Sequence, residues 1–285
     1  MNEAEMDALL TAWLQEDVQT GDATCACLFP ETLRAEGEIL FKERGVVCGL
    51  NLVRRLYERV DADIRWETLI PEGSLADEGQ PAATLSGLAT SILVPERLGL
   101  NLLGHLSGVA TLARSYLEAV EGLSVDLVDT RKTMPGLRSM EKYATRTAGW
   151  VNHRMGLHDL VLIKDNHLAA LRASGEKDPI ARALQDTENS GLGREIEVQT
   201  PEEAALAAGL GAEMILLDNM TPSQLAEAVK MSKAENPEVV LEASGGVSLD
   251  TVRAVAESGV DRISVGKATH SAPSLDVSLE VRFHG

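Results

Sequence analysis

The chain has 285 residues, of which 44% are hydrophobic, so it can fold around a substantial core, as one large α/β domain or as such a domain with a smaller partner. Its formal net charge of −18 argues against nucleic acid or an anionic membrane as a partner, because both need stripes of Lys and Arg. The acidic first ten residues and the lack of a run of roughly 18 apolar residues predict a cytoplasmic protein. The three cysteines lack a metal-binding spacing and are expected to be reduced thiols: Cys25, Cys27 and Cys48.

The first part of the chain predicts a mixture of helices and strands. A helix is expected first, over residues 3–15. Strands are expected over residues 35–41, 64–69 and 82–85. The apolar periodicity of residues 91–120 then predicts one or two buried helices, joined near Gly108, that bridge two domains.

The second part of the chain repeats a short apolar strand, a polar tip and a helix. The strand-and-tip segments read VDLVDTRK, LVLIKDN, IEVQT, MILLDN, VVLEASGG and ISVGKATH. Such apolar strands are typical of parallel strands covered on both faces, and they predict an α/β barrel with its polar tips gathered at the carboxyl ends. The alternating segment 275–283 predicts a final strand that returns to the first domain.

The stretch 129–167 is a basic segment in an acidic chain, with seven Lys and Arg against four Asp and Glu. Its cationic side chains lie beside predicted strand ends, where they suit carboxylates and phosphates. They are Arg131, Lys132, His153, Arg154, Lys164 and His167. This composition predicts a pocket for a small, highly anionic ligand.

The residues at other strand tips indicate which further chemical groups the ligand carries. Glu197 and Asp218 suit ribose hydroxyls or a magnesium ion carried by a pyrophosphate. The tip Ser244-Gly245-Gly246 lets backbone N–H groups approach a phosphate, with a helix start following it. The tips together predict a sugar phosphate bound next to an acid.

Several ordered motifs resemble the quinolinate phosphoribosyltransferase family over nearly the whole chain. They are DTRKT-PGLR, KYA-R, NHR-GL-D, LIKDNH, LLDNM, LEASGG and VG--THSAP-LD, preceded by GD-T near Gly21 and by GVVCGL. The resemblance implies an N-terminal open α/β sandwich domain joined to an incomplete α/β barrel of the type II phosphoribosyltransferase kind. We place the sandwich at residues 1–112, with 273–285 returning to it, and the barrel at 113–272.

The resemblance also implies an activity and the residues that perform it. Quinolinate and 5-phosphoribosyl 1-diphosphate would give nicotinate mononucleotide, pyrophosphate and carbon dioxide, with Mg²⁺ as cofactor. The implied quinolinate pocket consists of Arg97, Arg131, His153, Arg154 and Lys164. Lys132 and Lys164 would face the diphosphate, and Glu197 and Asp218 would hold ribose hydroxyls and magnesium, the latter largely through substrate. The implied 5-phosphate site consists of Ser244, Gly245, Gly266 and His270. A homodimer at least is implied, with Arg97 reaching into the partner's site.

Three positions depart from the family pattern. Ala148-Gly149-Trp150 stands where a glycine run is common, Gln199 where a second acidic residue is frequent, and Lys267 where a small residue is common. These departures affect the pocket edge and the charge around the metal.

Two other functions fit the same motifs. One is the activity of the related molybdenum-transport-associated homologue, which shares the fold; the intact NHRMGL and IKDNH segments favour the transferase. The other is a binding protein that holds a nucleotide or dicarboxylate without turnover.

Overall fold

A computed structural model describes residues 3–284, which divide into two compact units. The first unit combines residues up to 114 with 139–148 and with the segment from 272 onward. The second unit contains residues 115–138 and 149–271. None of the helices in the described part of the chain is long and apolar enough to cross a membrane.

The first unit is built around a four-stranded antiparallel sheet. Its helices are α1 (Glu3–Val18), α2 (Ala23–Leu28), α3 (Leu50–Val60) and α4 (Ala89–Leu93), with the first part of α5 (Glu96–Ala119). Its strands are β1 (Arg34–Phe41), β2 (Gly45–Val46), β3 (Arg65–Thr68), β4 (Leu75–Ala76), β5 (Pro81–Leu88) and β12 (Val277–His284). The sheet order is β12-β1-β5-β3, and β2 pairs separately with β4.

Burial explains why this sheet forms. Alternate residues of β1 are buried, including Ile39 and Phe41, and they pack in one cluster with Val53 and Tyr57 of the amphipathic helix α3. The predicted strands are confirmed within one to three residues at each end, and helix α1 runs three residues beyond its predicted end. The predicted last strand is also confirmed, since β12 pairs antiparallel with β1.

The predicted helical stretch 91–120 has its break in a different place. Helix α4 ends at Leu93 and α5 begins at Glu96, after Pro95, while α5 continues through Gly108. The predicted join at Gly108 is therefore wrong. A Cβ at Gly108 would meet the carbonyl oxygen of Pro273, so this glycine allows close packing of the returning segment rather than a bend.

The second unit carries the predicted parallel sheet. Its strands are β6 (Asp126–Val128), β7 (Val161–Ile163), β8 (Arg194–Val198), β9 (Met214–Asp218), β10 (Val240–Ser244) and β11 (Arg262–Ser264). Its helices are α7 (Asp165–Ala173), α8 (Pro179–Thr187), α9 (Pro201–Gly209), α10 (Pro222–Glu235), α11 (Val252–Ala256) and α12 (Lys267–His270).

The strand order β6-β11-β10-β9-β8-β7 is parallel throughout, so all carboxyl ends lie at one edge. Strands β6 and β7 occupy the two ends of this order, which is the order of an incomplete α/β barrel. The α/β class, with a parallel sheet and a separate small sheet domain, is confirmed.

Helix α6 (Arg138–Thr147) lies in a part of the chain that we had placed in the barrel domain, but residues 139–148 pack in the first unit. It buries Met140, Glu141 and Ala144, and Glu141 Oε1 lies 3.0 Å from His105 Nε2 of α5. Lys142 of the same helix is also buried. The first unit therefore includes a helix from beyond residue 112, where the sequence-based division placed the end of the first domain.

Candidate active site

A cavity of about 380 Å³ lies in the second unit at the strand ends. It is lined by Asp129, Thr130, Arg131, Lys132, His153, Arg154, Leu162, Lys164, Glu197, Leu216, Asp218, Glu242, Ser244 and Ser264. Every strand of the parallel sheet contributes to this wall, directly or through the loop that follows it. The predicted residues that the structure brings together here are Arg131, Lys132, His153, Arg154, Lys164, Glu197, Asp218 and Ser244.

Two guanidinium groups share one side of the cavity. Burial lowers the pKa of Arg154, and the positive charge of Arg131 lowers it further. Arg154 Nη1 donates to the carbonyl of Leu160 at 3.1 Å, whereas the buried Arg131 Nε has no hydrogen-bond partner among the described residues. Like charges held together away from water favour a bound anion with more than one negative charge.

Asp129, which the sequence analysis did not assign a role, positions this side of the cavity. It is fully buried after β6, and its carboxylate accepts from Asn152 Nδ2 at 2.6 Å and from the backbone N–H of His153 at 2.9 Å. These bonds tie the segment that carries His153 and Arg154 to the end of β6. The signal available in the sequence was an acidic residue directly after an apolar strand.

His153 lies on the cavity wall, but both of its ring nitrogens contact protein atoms. Nδ1 accepts from the backbone N–H of Arg154 at 2.8 Å, and Nε2 lies 3.0 Å from Glu195 Oε2. Nε2 is also 3.5 Å from Glu242 Oε2. The sequence analysis missed both glutamates, although Glu195 and Glu242 each stand two residues before a predicted site residue on the same strand, which places them on the same face.

Two carboxylates and a lysine, in contrast to the guanidinium pair, form a second group of site residues in the cavity wall. Glu197 belongs to β8 and Asp218 ends β9, while Lys164 precedes α7. Burial raises the pKa of Glu197, and the negative charges of Asp218 and Asp165 raise it further, against the attraction of Lys164. Such crowded carboxylates suit a hydroxyl donor or a divalent cation, so the residues present fit Mg²⁺.

The predicted phosphate residues surround two glycine-containing tips. Gly245 and Gly246 have φ values of +100° and +62°, and a side chain at Gly245 would collide with Asn219. A Cβ at Gly266 would come 2.9 Å from Lys132 Cδ and 3.3 Å from the ring of His270. The structure therefore brings Lys132, Gly266 and His270 together, next to the cavity wall that Lys132 lines.

The remaining predicted residue, Arg97, belongs to the first unit. It lies on α5 with 67% of its side chain exposed, 3.7 Å from Glu96. Its role in a partner's site stays a prediction.

The departures from the family pattern lie outside the wall of the cavity as formed by the described residues. Trp150 is buried and meets Tyr116 edge-on, with ring centroids 5.9 Å apart. It is therefore a packing residue of the second unit. The side chains of Gln199 and Lys267 are exposed.

A parallel sheet with glycine-containing tips and paired guanidiniums at its carboxyl ends defines a class of α/β enzymes that bind a multiply anionic ligand there. Comparison with known proteins agrees with this class. Residues 22–107 match the family model described as quinolinate phosphoribosyl transferase, N-terminal domain, and residues 109–280 match the corresponding C-terminal domain.

Named relatives are similar over nearly their whole length. A probable nicotinate-nucleotide pyrophosphorylase [carboxylating] of Synechocystis is 38% identical, covering 97% of this chain and 92% of that protein. A nicotinate-nucleotide pyrophosphorylase [carboxylating] of Mycobacterium leprae is 36% identical, covering 99% and 100%. The crystal structure of NadC from Streptococcus pyogenes matches with a TM-score of 0.92 and 32% identity, covering 100% and 99%. The chain belongs to the quinolinate phosphoribosyltransferase family.

Proposed function

We propose that this protein transfers the phosphoribosyl group of 5-phosphoribosyl 1-diphosphate to the nitrogen of quinolinate, giving nicotinate mononucleotide, pyrophosphate and carbon dioxide for NAD biosynthesis. The observation that carries the proposal is the half-buried pair Arg131 and Arg154 in the same cavity as Glu197 and Asp218. A dicarboxylate needs the first pair, and a ribose diphosphate with its metal needs the second.

The first chemical step is a displacement at the anomeric carbon. The quinolinate nitrogen forms a bond to ribose C1 while the bond from C1 to the pyrophosphate oxygen breaks, with its electron pair leaving on pyrophosphate. Arg131 and Arg154 would hold the two carboxylates and fix the nitrogen within reach of C1. Lys132 and Lys164 would stabilise the departing anion as its charge grows.

The second step removes the carboxylate next to the ring nitrogen. Once alkylated, that nitrogen is positive and stabilises the electron pair left on C2 when the bond to carbon dioxide breaks. C2 then takes a proton to complete nicotinate mononucleotide. Because the substrate supplies this stabilisation, the protein's contribution is to orient the ring and neutralise the carboxylates.

Magnesium is proposed as the cofactor, held by Glu197 and Asp218 largely through substrate oxygens. Burial, followed by the negative charges of Asp218 and Asp165, raises the pKa of Glu197, and this supports the assignment because a divalent cation would relieve the repulsion between the carboxylates. When bound, the ion neutralises the charge of the diphosphate leaving group.

A homodimer in a cytoplasmic location is proposed as the working form. The Arg97 side chain supports a contribution to a second subunit's site, because 67% of it is exposed and its ion pair with Glu96 is long at 3.7 Å. In that arrangement Arg97 of one subunit would join the quinolinate pocket of the other.

The direct test incubates the protein with quinolinate, 5-phosphoribosyl 1-diphosphate and Mg²⁺ and measures nicotinate mononucleotide, pyrophosphate and carbon dioxide in equal amounts. A folded protein that binds both substrates without forming nicotinate mononucleotide would be the binding protein considered above. Turnover of a different acceptor, with none of quinolinate, would instead favour the molybdenum-transport-associated activity.

A further inference from the structure

Two buried glutamates lie beside His153, which lines the cavity. Glu195 is 0% exposed and Glu242 is 1% exposed, on β8 and β10. Glu195 Oε1 and both carboxyl oxygens of Glu242 have no hydrogen-bond partner among the described residues. His153 Nε2 lies between them, 3.0 Å from Glu195 and 3.5 Å from Glu242. Buried carboxylates so poorly compensated need a charge or a proton.

The geometry favours a proton over a metal ion. The three groups offer ligand atoms within 4.8 Å of one another, as a metal site would. However, His153 Nδ1 accepts the backbone N–H of Arg154, so the ring proton lies on Nε2 and is directed at the glutamates. A metal would have to displace that proton from Nε2 and leave an imidazolate. The cluster is therefore a hydrogen-bonding group in which His153 Nε2 faces both carboxyl groups.

Burial and one neighbouring carboxylate oppose the ionisation of Glu242. Burial raises its pKa to about 7, with the carboxylate of Glu195 as the next cause. Three neighbours act in the other direction, namely His153, Ser264 and Arg262, the last two on the adjacent strand β11. Glu242 also lines the cavity, so a bound ligand would lie beside it.

We propose that Glu242 is a positioning residue for the dicarboxylate, which binds when the Glu242 carboxyl is neutral and takes up a proton there on binding. A dianion placed at Arg131 and Arg154 adds negative charge near Glu242, and this charge favours its protonated form. This inference rests on the proposed function, since it requires a dicarboxylate in the cavity.

The sign of the pH dependence follows from this linkage. As pH rises above about 7, Glu242 ionises in the free protein and must be reprotonated before the ligand binds tightly. The Kd for quinolinate should therefore rise with pH, by at most about tenfold per pH unit.

The experiment is calorimetric titration of the intact protein with quinolinate at pH 7.5, in HEPES and in Tris. These buffers differ in ionisation enthalpy, so the difference in heat gives the number of protons taken up. The wild-type protein should take up a measurable fraction of one proton. Glu242→Gln, a permanently neutral mimic, should bind without uptake and with a Kd that stays flat between pH 6.5 and 8.5. Glu238→Gln, which removes an exposed carboxylate just before the same strand, should keep the wild-type uptake.

The outcomes separate the two proposals. Quinolinate binding with no proton uptake by the wild-type protein would overturn this inference and leave the proposed function intact, whether or not any variant folds. Unchanged uptake by a folded Glu242→Gln variant would also overturn it. Absence of quinolinate binding, alone and with 5-phosphoribosyl 1-diphosphate and Mg²⁺, would overturn the proposed function itself.

Discussion

Arg131 and Arg154 lie close enough for the charge of one to lower the pKa of the other, and both line the same cavity. A protein retains such a costly pair where a bound anion offsets the repulsion. The buried Arg131 Nε has no hydrogen-bond partner among the described residues, which adds to the cost of keeping this pair.

Replacing Arg131 by alanine should therefore weaken transition-state binding more than folding. The loss of a charged hydrogen bond costs about 1.5 to 3 kcal/mol, which corresponds to roughly a 10- to 100-fold decrease in kcat/KM for quinolinate. Steady-state kinetics at varied quinolinate concentration measures this effect. Arg172→Ala serves as the control, because Arg172 is a half-exposed residue of the same unit paired with Glu203 at 3.8 Å. Equal kinetics for the Arg131 and Arg172 variants would remove Arg131 from the pocket.

At the scale of elements, the strand ends do most of the positioning. Strands β8 and β10 each present two side chains on one face. The first is a buried glutamate, Glu195 or Glu242, and the second, two residues later, is Glu197 or Ser244 of the cavity wall. The period of two along a strand makes this pairing automatic. Glu197 and Ser244 were therefore predicted from their place at the strand tips, whereas Glu195 and Glu242, two residues earlier on the same strands, were not.

Helix α5 illustrates a glycine whose role depends on a distant segment. Gly108→Ala should destabilise the protein by about 1 to 3 kcal/mol, because the new Cβ would press against the backbone of Pro273, which cannot move as a flexible side chain would. Denaturant unfolding measures this loss. The matched control is Gly209→Ala in α9, where a Cβ meets its nearest atom at 3.4 Å and the gain in helix propensity is up to about 1 kcal/mol. A Gly108 variant as stable as the wild-type protein would show that the returning segment does not pack there.

At the scale of the whole molecule, the predicted assembly would divide the active site between two subunits. Arg97→Ala and Lys164→Ala should each inactivate the enzyme alone. After subunit exchange, random pairing would leave one intact site in each hybrid dimer, or about a quarter of the wild-type activity for an equal mixture. The measurement compares the activity of the mixture with the activity of each variant alone. No recovery despite demonstrated exchange would mean that Arg97 serves a site in its own subunit or none.

Much of the architecture was contained in the sequence. The apolar segments followed by polar tips predicted every strand of the parallel sheet, because a strand covered on both faces must be apolar along its length and can carry charge only where it ends. The motifs at those tips predicted the family and most of the side chains that line the cavity. These features depend on residues that are close together in the chain, so they can be recognised from the sequence alone.

Only the tertiary structure decided which residues support that site from behind. Asp129, Glu195 and Glu242 act through contacts with a segment more than twenty residues away or on another strand, so their place in the sequence did not show what they contact. The placement of α6 in the first unit and the continuity of α5 through Gly108 depended in the same way on distant partners. The sequence by itself determined the chemistry of the strand tips, whereas packing between distant segments decided how that chemistry is held and how its charges are balanced.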